Sequence, residues 1–102
     1  MPIVRRGRYF VYMVLCQNGF LYTGYTKDIA NRLKLHNSGR GAKYLRGKLP
    51  VKLVFTKEFK YFKLALNAER AIKRKTRKQK DLLIQDWKNI KAQCSIKKTM
   101  SP

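Results

Sequence analysis

Five side chains, far apart in the sequence, carry the chemical groups needed to cleave a phosphodiester. Two of them are tyrosines in short strand-like segments, Tyr12 and Tyr22. Arg32 and His36 follow in a predicted helix, and Glu69 lies within a later, strongly basic helix. Two phenols, a guanidinium, an imidazole and one carboxylate are the groups that a phosphodiesterase with a single metal ion requires. They can act together only if the elements of the chain bring them to one place.

Charge and composition indicate a folded protein with a polyanionic partner. The chain has 102 residues, enough for one small domain. Apolar residues make up 44% of it, so it is not a disordered polycation. Its 25 Lys and Arg residues outnumber its 5 acids, for a formal net charge of +20. Repulsion among so many like charges destabilises the folded protein, so the charge is expected to serve binding of a polyanion. Nucleic acid is the leading candidate.

Several classes of protein are disfavoured by what the sequence lacks. No apolar run approaches the roughly 20 residues of a membrane span, and no lipidation motif accompanies the basic stretches, so we expect no membrane partner. The first residues lead into a strand-like block without a small-residue cleavage site, which predicts no signal peptide and a cytoplasmic location. Cys16 and Cys94 form neither a disulfide framework nor a zinc motif, and we expect both to be reduced.

Hydrophobic patterning predicts an α+β domain with the element order ββαβαα. Continuous apolar residues over 9–16 predict a central strand covered on both faces, and residues 20–25 form the second arm of a hairpin. A helix is expected to open at Thr26-Lys27-Asp28 and to end near Asn37, and alternation over 51–59 predicts the third strand. The prediction is therefore a small three-stranded antiparallel sheet flanked by helices.

The rest of the chain is predicted to be helical. From about Phe62 the apolar spacing is that of a helix, and Thr76-Arg77-Lys78-Gln79 has the form of a capping box that starts another. Beyond Gln93 little is left to bury, so a frayed tail is expected. The predicted organisation is one domain over 1–102, with a core at about 8–85 and the helix end and basic tail over 86–102.

The turn of the hairpin decides whether the two tyrosines can meet. If Asn18-Gly19 is a two-residue turn, the two phenols project from opposite faces of the sheet. If the loop has three residues, with Gly19 in the left-handed bulge position, Tyr12 faces Gly24 and both phenols share one face. Composition leaves both registers open, and a joint site requires the second.

The ordered set of short motifs resembles the GIY-YIG domain superfamily and, within it, the small stand-alone bacterial UPF0213 group. The resemblance covers roughly residues 8–85. Phe10 and Thr23 depart from the motifs that name the family, at positions that supply no reactive group. The matching motifs are, in order, Tyr9-Phe10-Val11-Tyr12, Leu21-Tyr22-Thr23-Gly24-Tyr25-Thr26, Arg32 with His36-Asn37-Ser38-Gly39, Gly41-Ala42-Lys43-Tyr44, Pro50-Val51-Lys52-Leu53-Val54 and Glu69-Arg70-Ala71-Ile72-Lys73.

The resemblance implies the GIY-YIG nuclease fold and a metal-dependent DNA endonuclease site. Tyr12 would be the general base on the attacking water, and Tyr22 its hydrogen-bonding neighbour. Arg32 would neutralise charge on the scissile phosphate, and His36 would bond to the base tyrosine or to the phosphate. Glu69 would hold one Mg²⁺ or Mn²⁺ ion. Because a free phenol has a pKa of about 10, the arginine and the bound cation are expected to lower the pKa of the base tyrosine.

Simpler interpretations stay open for two of these residues. His36, near a predicted helix end, would also fit a favourable charge at the helix C-terminus or a solvated residue. Glu69 precedes a stretch in which seven of the eleven residues 70–80 are Lys or Arg, so it would also fit a counter-ion on a solvated face. The remaining acids are too scattered along the chain for a two-metal carboxylate site.

Basic residues outside the five-residue set predict contacts with DNA phosphates. In the loop after the first helix they alternate with an aromatic residue, a pattern typical of nucleic-acid contacts. Such contacts give affinity and salt dependence without sequence choice, so DNA binding is expected to be non-specific or directed by structure. The candidate contacts are Arg40, Lys43, Tyr44, Arg46, Lys48, Lys73, Arg74 and Arg77.

Two functions fit these features. The first is a small nuclease that hydrolyses phosphodiesters in DNA. The second is a basic nucleic-acid-binding module that keeps the same fold with weak or no turnover. A catalytic core without a targeting domain would cut DNA slowly or use a protein partner for targeting. The second function, binding with weak or no turnover, therefore stays open. A ribosome-associated protein would explain the charge but not the five-residue set.

Overall fold

The computed structural model describes the backbone of residues 6–100 and the side chains of residues 7–92. Within that range the elements follow the predicted order ββαβαα, which confirms the α+β fold, and a 3₁₀ turn at Lys43–Leu45 precedes the third strand. The bounds are β1 (Arg6–Leu15), β2 (Leu21–Thr26), α1 (Ile29–Asn37), β3 (Lys52–Tyr61), α2 (Phe62–Lys73) and α3 (Arg77–Met100).

Strand β1 is the central strand of an antiparallel sheet with the order β2-β1-β3. Its side chains alternate between two buried clusters, as the continuous apolar run predicted. Val11 and Met13 pack with residues of α2 and α3 on one face. Tyr12 and Val14 pack with residues of α1 and of the 3₁₀ turn on the other face. The sheet is therefore covered on both sides, and Tyr12 faces the side that carries α1.

The hairpin between β1 and β2 has the three-residue loop that a joint tyrosine site requires. The Cys16 N–H donates to the Phe20 carbonyl at 2.8 Å, which closes the loop. Gly19 has a φ of 89°, the left-handed conformation that glycine adopts without steric cost. Tyr12 consequently pairs with Gly24, and the two phenols lie on the same face of the sheet. The second of the two predicted registers is thereby confirmed.

Strand β3 is less regular than its predicted alternation. Its pairing with β1 shifts between Met13 and Val14, because β3 has one extra residue there, Val54. Such a bulge locally breaks the two-residue period of a strand. Val54 and Phe55 are both buried as a result, although they are adjacent in the sequence.

The last helix starts as predicted and runs further than predicted. Thr76 and Gln79 exchange the two hydrogen bonds of a capping box, at 3.0 and 3.2 Å. Helix α3 then continues to Met100, whereas a frayed tail was expected beyond Gln93; the sequence over 93–100 contains no Gly or Pro that would end it. No helix within residues 6–100 has a stretch long and apolar enough to cross a membrane.

Thr23 in β2 gives a prediction about stability. Its side chain is buried, and its hydroxyl has no hydrogen-bond partner among the described residues. Because an unsatisfied buried hydroxyl is unfavourable, Thr23→Val is expected to raise the free energy of unfolding by about 1 kcal/mol, measured by urea denaturation. Thr26→Val is the matched control, since the buried Thr26 hydroxyl is bonded to the backbone of Asp28 and its loss should destabilise. Equal effects of the two changes would contradict this account.

Candidate active site

Four of the five predicted site residues line one cleft beside strand β2, and the fifth lies directly behind it. Tyr12, Tyr22, Arg32 and Glu69 line an open cleft of about 590 Å³. His36 lies behind Tyr12, and the centroids of their rings are 5.9 Å apart. The residues come from β1, β2, α1 and α2, so the fold brings together side chains that are far apart in the sequence.

The start of α1 positions the two helix residues of the site. Asp28 caps the helix, because its carboxylate accepts a hydrogen bond from the Asn31 N–H at 3.0 Å. The Thr26 hydroxyl oxygen lies 3.2 Å from the Asp28 N–H and 3.4 Å from Nε of Arg32, and both nitrogens donate to it. Since residues four apart share a helix face, Arg32 and His36 project together toward the tyrosines.

The hydrogen bonds of His36 determine its tautomer. The Ala42 N–H donates to Nδ1 at 3.2 Å, so Nδ1 carries no proton. A neutral imidazole then has its proton on Nε2. Nε2 lies 2.8 Å from the hydroxyl oxygen of Tyr12, which makes His36 the donor and Tyr12 the acceptor. The phenol therefore keeps its own proton available to the cleft that Tyr12 lines.

Burial and charge hold His36 in the neutral form. The residue is only 1% exposed. Burial, and then the nearby Arg32 guanidinium, lower the pKa of its imidazole below the usual 6.5. Protonation would also place a second donor against the Ala42 N–H. A buried neutral imidazole fits neither a solvated residue nor a helix-end charge, the two simpler interpretations of the sequence.

In the protein alone the pKa of Tyr12 is raised, whereas the sequence predicted that Arg32 and a bound cation would together lower it. Burial is the main cause, because it disfavours the charged phenolate. The neighbouring Tyr22 and Glu69 raise the pKa further, and Arg32 acts in the opposite direction. Burial outweighs the guanidinium, so Tyr12 in the protein alone is a neutral phenol at pH 7.

Glu69 is a recessed acid on the wall of the cleft. It is 8% exposed, so it does not lie on a solvated face. Its Oε1 atom is 3.6 Å from Nζ of Lys73, a loose ion pair. A carboxylate at an open cleft fits Mg²⁺ or Mn²⁺, since a hard cation can complete its coordination with water and substrate oxygens. Residues 7–92 contain no cluster of three His, Cys, Asp or Glu side chains that would form a metal site from protein ligands alone.

Tyr22 contacts its neighbours through its ring. Its centroid lies 6.4 Å from that of Tyr12 and 5.7 Å from that of His36. On its other side it is nearly parallel to Tyr44, at 6.0 Å and 22°. Two residues were predicted to hydrogen-bond to the Tyr12 hydroxyl. Among the described side chains the bond comes from His36, one of the two, and not from Tyr22, the other.

Some of the predicted DNA contacts also interact with other groups of the protein. Nζ of Lys48 lies 4.0 Å from the centroid of the Tyr44 ring. Lys73 pairs with the cleft acid, and Arg77 donates to the Gly19 carbonyl at 2.7 Å, which ties α3 to the hairpin turn. The side chains of the remaining candidates are exposed: Arg40, Lys43, Arg46 and Arg74.

A family of catalytic domains matches most of this chain. The family model described as the GIY-YIG catalytic domain matches residues 8–81, a range that holds all five residues at the cleft. The chain belongs to the GIY-YIG family. It is similar to the UPF0213 protein SAG0778 of Streptococcus agalactiae, 46% identical over 80 residues, which cover 78% of this chain and 91% of the relative. It is also similar to the UPF0213 protein YazA of Bacillus subtilis, 40% identical over 87% of this chain and 90% of the relative.

Two solved structures share the fold of this GIY-YIG chain. The solution NMR structure of the UPF0213 protein BH0048 from Bacillus halodurans is 41% identical and has a TM-score of 0.52, over 76% of this chain and 83% of that chain. The solution NMR structure of the protein EF2693 from E. faecalis is 40% identical and has a TM-score of 0.56, over 82% of this chain and 90% of that chain. The resemblance found in the sequence motifs is thereby confirmed.

Two glycines leave space beside site residues of this GIY-YIG domain that any side chain would fill. A Cβ atom on Gly24 would lie 2.7 Å from the Tyr12 hydroxyl oxygen. A Cβ atom on Gly41 would overlap Nδ1 of His36 and lie 2.8 Å from its Cα. The space at Gly24 follows from the hairpin register, whereas the role of Gly41 was missed. Its only sequence signal was its place in the motif Gly41-Ala42-Lys43-Tyr44.

Gly41→Ala is expected to displace His36 and to destabilise the fold. Because a backbone atom is among the clashing partners, the free energy of unfolding should fall by about 1–3 kcal/mol, measured by urea denaturation. The nitrogen chemical shifts of His36 should also change as the bond from Ala42 is lost. Gly47→Ala is the matched control, because a Cβ there meets nothing within 4 Å. An equal decrease in the free energy of unfolding for Gly41→Ala and Gly47→Ala would rule out this role for Gly41.

Proposed function

We propose that this GIY-YIG domain is a divalent-metal-dependent DNA endonuclease that hydrolyses phosphodiester bonds. The observation that carries the proposal is the meeting of Tyr12, Arg32 and Glu69 at one open cleft, with His36 hydrogen-bonded behind Tyr12. These residues come from β1, α1 and α2, so no single local motif accounts for their proximity. A base, a cation for the phosphate and a carboxylate for a metal are the groups that this hydrolysis needs.

Tyr12 is the group that takes a proton from the attacking water. Its phenol must first lose its own proton to solvent in the open cleft, and its raised pKa makes the phenolate scarce at neutral pH. The Nε2–H of His36 donates to the phenol oxygen, and this hydrogen bond strengthens when the oxygen becomes negative. His36 therefore stabilises the phenolate and orients the ring while remaining neutral. Tyr22, in ring contact with both residues, restricts their positions.

Arg32 supplies positive charge for the reacting phosphate. Its guanidinium is planar and forked, a shape that matches two phosphate oxygens. The hydrogen bond from its Nε to Thr26 at 3.4 Å holds the side chain at the cleft. Because negative charge on the phosphate grows in the transition state, a fixed cation stabilises that state more than the bound substrate.

Glu69 is the residue that would hold one divalent cation, Mg²⁺ or Mn²⁺. When bound, the cation supplies Lewis-acid stabilisation of charge on the phosphate. The carboxylate is recessed at the cleft wall and only loosely paired with Lys73, so it can serve as a ligand within reach of a bound DNA strand. One carboxylate is sufficient for such an ion, since water and substrate oxygens fill most of its positions.

DNA is the proposed substrate because the protein has a large positive charge and exposed basic side chains. The net charge of +20 favours binding of a polyanion. The exposed cations Arg40, Lys43 and Arg46 would contact backbone phosphates, which carry no sequence information. Binding is therefore proposed to be non-specific or directed by DNA structure, and a protein partner would supply any further targeting.

A nicking assay tests the proposed activity. The wild-type protein is incubated with supercoiled, branched and single-stranded DNA in the presence of Mg²⁺ or Mn²⁺, and with EDTA in a parallel series. Tyr12→Phe and Glu69→Ala, purified identically, control for a contaminating nuclease. The proposal predicts metal-dependent cutting by the wild type and loss of cutting, with DNA binding retained, in both variants. DNA binding without cutting by the wild type would instead identify a binding module with the nuclease fold.

A further inference from the structure

A depression with aromatic and cationic walls lies along the edge strand β2, next to the cleft. It consists of two adjoining hollows of about 350 and 300 Å³. Both hollows are lined by Leu21, Tyr44 and Lys80; Phe20 and Arg77 complete the first of them. Lys73, at the end of α2, lines the second. The depression therefore has apolar rings on one side and basic side chains of the helices on the other.

The two rings of this depression are unusually exposed for aromatic residues. Phe20 is 55% exposed and Tyr44 is 47% exposed. Exposed rings that border a common hollow leave apolar surface in water, which is unfavourable unless a ligand covers it. Every nucleobase has a flat face that stacks on such rings, and on Tyr44 it would take the place of the Lys48 ammonium, which lies 4.0 Å from the ring centroid. Stacking is worth about 1–3 kcal/mol per base.

The depression and the cleft share one wall. Tyr22 lines both the second hollow and the cleft that holds Tyr12 and Glu69. Its ring is nearly parallel to that of Tyr44, with centroids 6.0 Å apart. A strand whose phosphate lies in the cleft would therefore bring a neighbouring nucleotide to the depression.

The cations of the depression suit the phosphate of that nucleotide. Lys80 lines both hollows and is half-buried, so its side chain borders any strand that crosses them. Arg77 is held in place by the Gly19 carbonyl at 2.7 Å and by Asp81 at 3.0 Å. The helices thus present positive charge beside the stacking surface, the combination found in proteins that bind single strands.

We infer that the depression binds a single unstacked base of a DNA strand whose phosphate backbone runs through the cleft. A base in a continuous duplex is stacked on its neighbours and paired, so it cannot reach Phe20 or Tyr44. The substrate class would accordingly be DNA with an unpaired nucleotide beside the reacting phosphate. This inference rests on the proposed function for the cleft, but base binding itself does not require cleavage.

The test measures binding in EDTA, where no metal-dependent cleavage occurs. Fluorescence anisotropy is recorded with a labelled single-stranded oligothymidylate and with an abasic oligomer that has the same number of phosphates. A fully paired duplex of equal charge is the third probe. The variants are Tyr44→Leu, which removes the ring, and Tyr44→Phe, which keeps it. Lys80→Gln is compared with Lys88→Gln, an exposed residue on the same helix that does not line the depression.

The wild type is expected to bind the oligothymidylate about tenfold more tightly than the abasic oligomer, a ratio that stacking of one base supplies. Tyr44→Leu should lower the ratio, because only the Phe20 ring is then left for stacking, and Tyr44→Phe should preserve it. Lys80→Gln should weaken binding of both oligomers alike and more than Lys88→Gln does. Equal binding of the two oligomers by the wild type, or an unchanged ratio in Tyr44→Leu, would overturn the inference. If cutting fails but this ratio holds, the proposed activity alone is wrong.

Discussion

Tyr12→Phe is expected to lower the rate of DNA cleavage at least about a hundredfold, the usual effect of removing a general base. The change deletes one oxygen and keeps the ring that packs between β1 and α1. It also leaves the Nε2–H of His36 without its acceptor, so some loss of stability should accompany the loss of rate. Single-turnover cleavage of labelled DNA under saturating protein measures the chemical effect separately from binding.

The pH profile distinguishes a lost base from a disturbed structure. The pKa of Tyr12 in the metal-free protein lies above its ordinary 10.0, so even with some lowering by a bound cation the wild type should stay on the rising side of the titration through neutral pH. Below that pKa the fraction of phenolate, and with it the rate, should grow about tenfold per pH unit. Residual cleavage by Tyr12→Phe should lack this slope. A wild-type rate that is level across this range would contradict the assignment of Tyr12 as the base.

Tyr9→Phe is the matched control for this variant. Tyr9 is also buried in β1, but its side chain packs in the cluster on the opposite face of the sheet. Losing its hydroxyl removes the same atom from the same strand without touching the cleft. Cleavage by Tyr9→Phe should equal that of the wild type, and a comparable loss in both variants would mean that the effect reports folding of β1 and not catalysis.

The register of the hairpin could not be predicted from the sequence alone. Composition predicted both strands and the turn, but two loop lengths fitted Gln17-Asn18-Gly19 equally well. The observed choice involves a contact from far along the chain, since Arg77 in α3 donates to the Gly19 carbonyl at 2.7 Å. Gly19 itself takes the left-handed conformation that the longer loop requires. Local sequence patterns predicted the strands and the turn. They could not predict the contact between α3 and the turn that is present in the observed register.

The environment of Tyr12 was harder to predict than its position. From the sequence, Arg32 and a bound cation were expected to lower the pKa of Tyr12. Burial of the phenol has the opposite effect and is larger, and burial depends on how α1 and β2 close over β1. The role of His36 was open for the same reason, because its tautomer depends on the backbone N–H of Ala42. Residue types predicted which groups meet, and packing decides their protonation.

Glu69→Gln is expected to abolish Mg²⁺-dependent cleavage, with a loss of about a thousandfold if the cation contributes about 4 kcal/mol to the transition state. The amide keeps the shape of the side chain but is a much weaker ligand for a hard cation. Binding of Mn²⁺, followed by electron paramagnetic resonance, should weaken in parallel, which gives a measurement that does not depend on cutting. Glu58→Gln is the matched control, because Glu58 is an exposed acid paired with Arg8 at 2.8 Å and lies outside the cleft.

The sign of the Glu69→Gln effect separates two roles for this carboxylate. Its negative charge raises the pKa of both Tyr12 and Tyr22, so removing the charge favours the phenolate. If Glu69 acted only through this field, the variant would cut faster than the wild type at neutral pH. A cation ligand predicts the reverse, a large loss of rate although the base has become easier to ionise. The lowered pKa of Tyr12 should appear in the tyrosinate absorbance of the metal-free variant after subtraction of the titration of the same variant carrying Tyr12→Phe, because the chain has six tyrosines. A loss of cleavage together with that shift can therefore be assigned to the missing ligand.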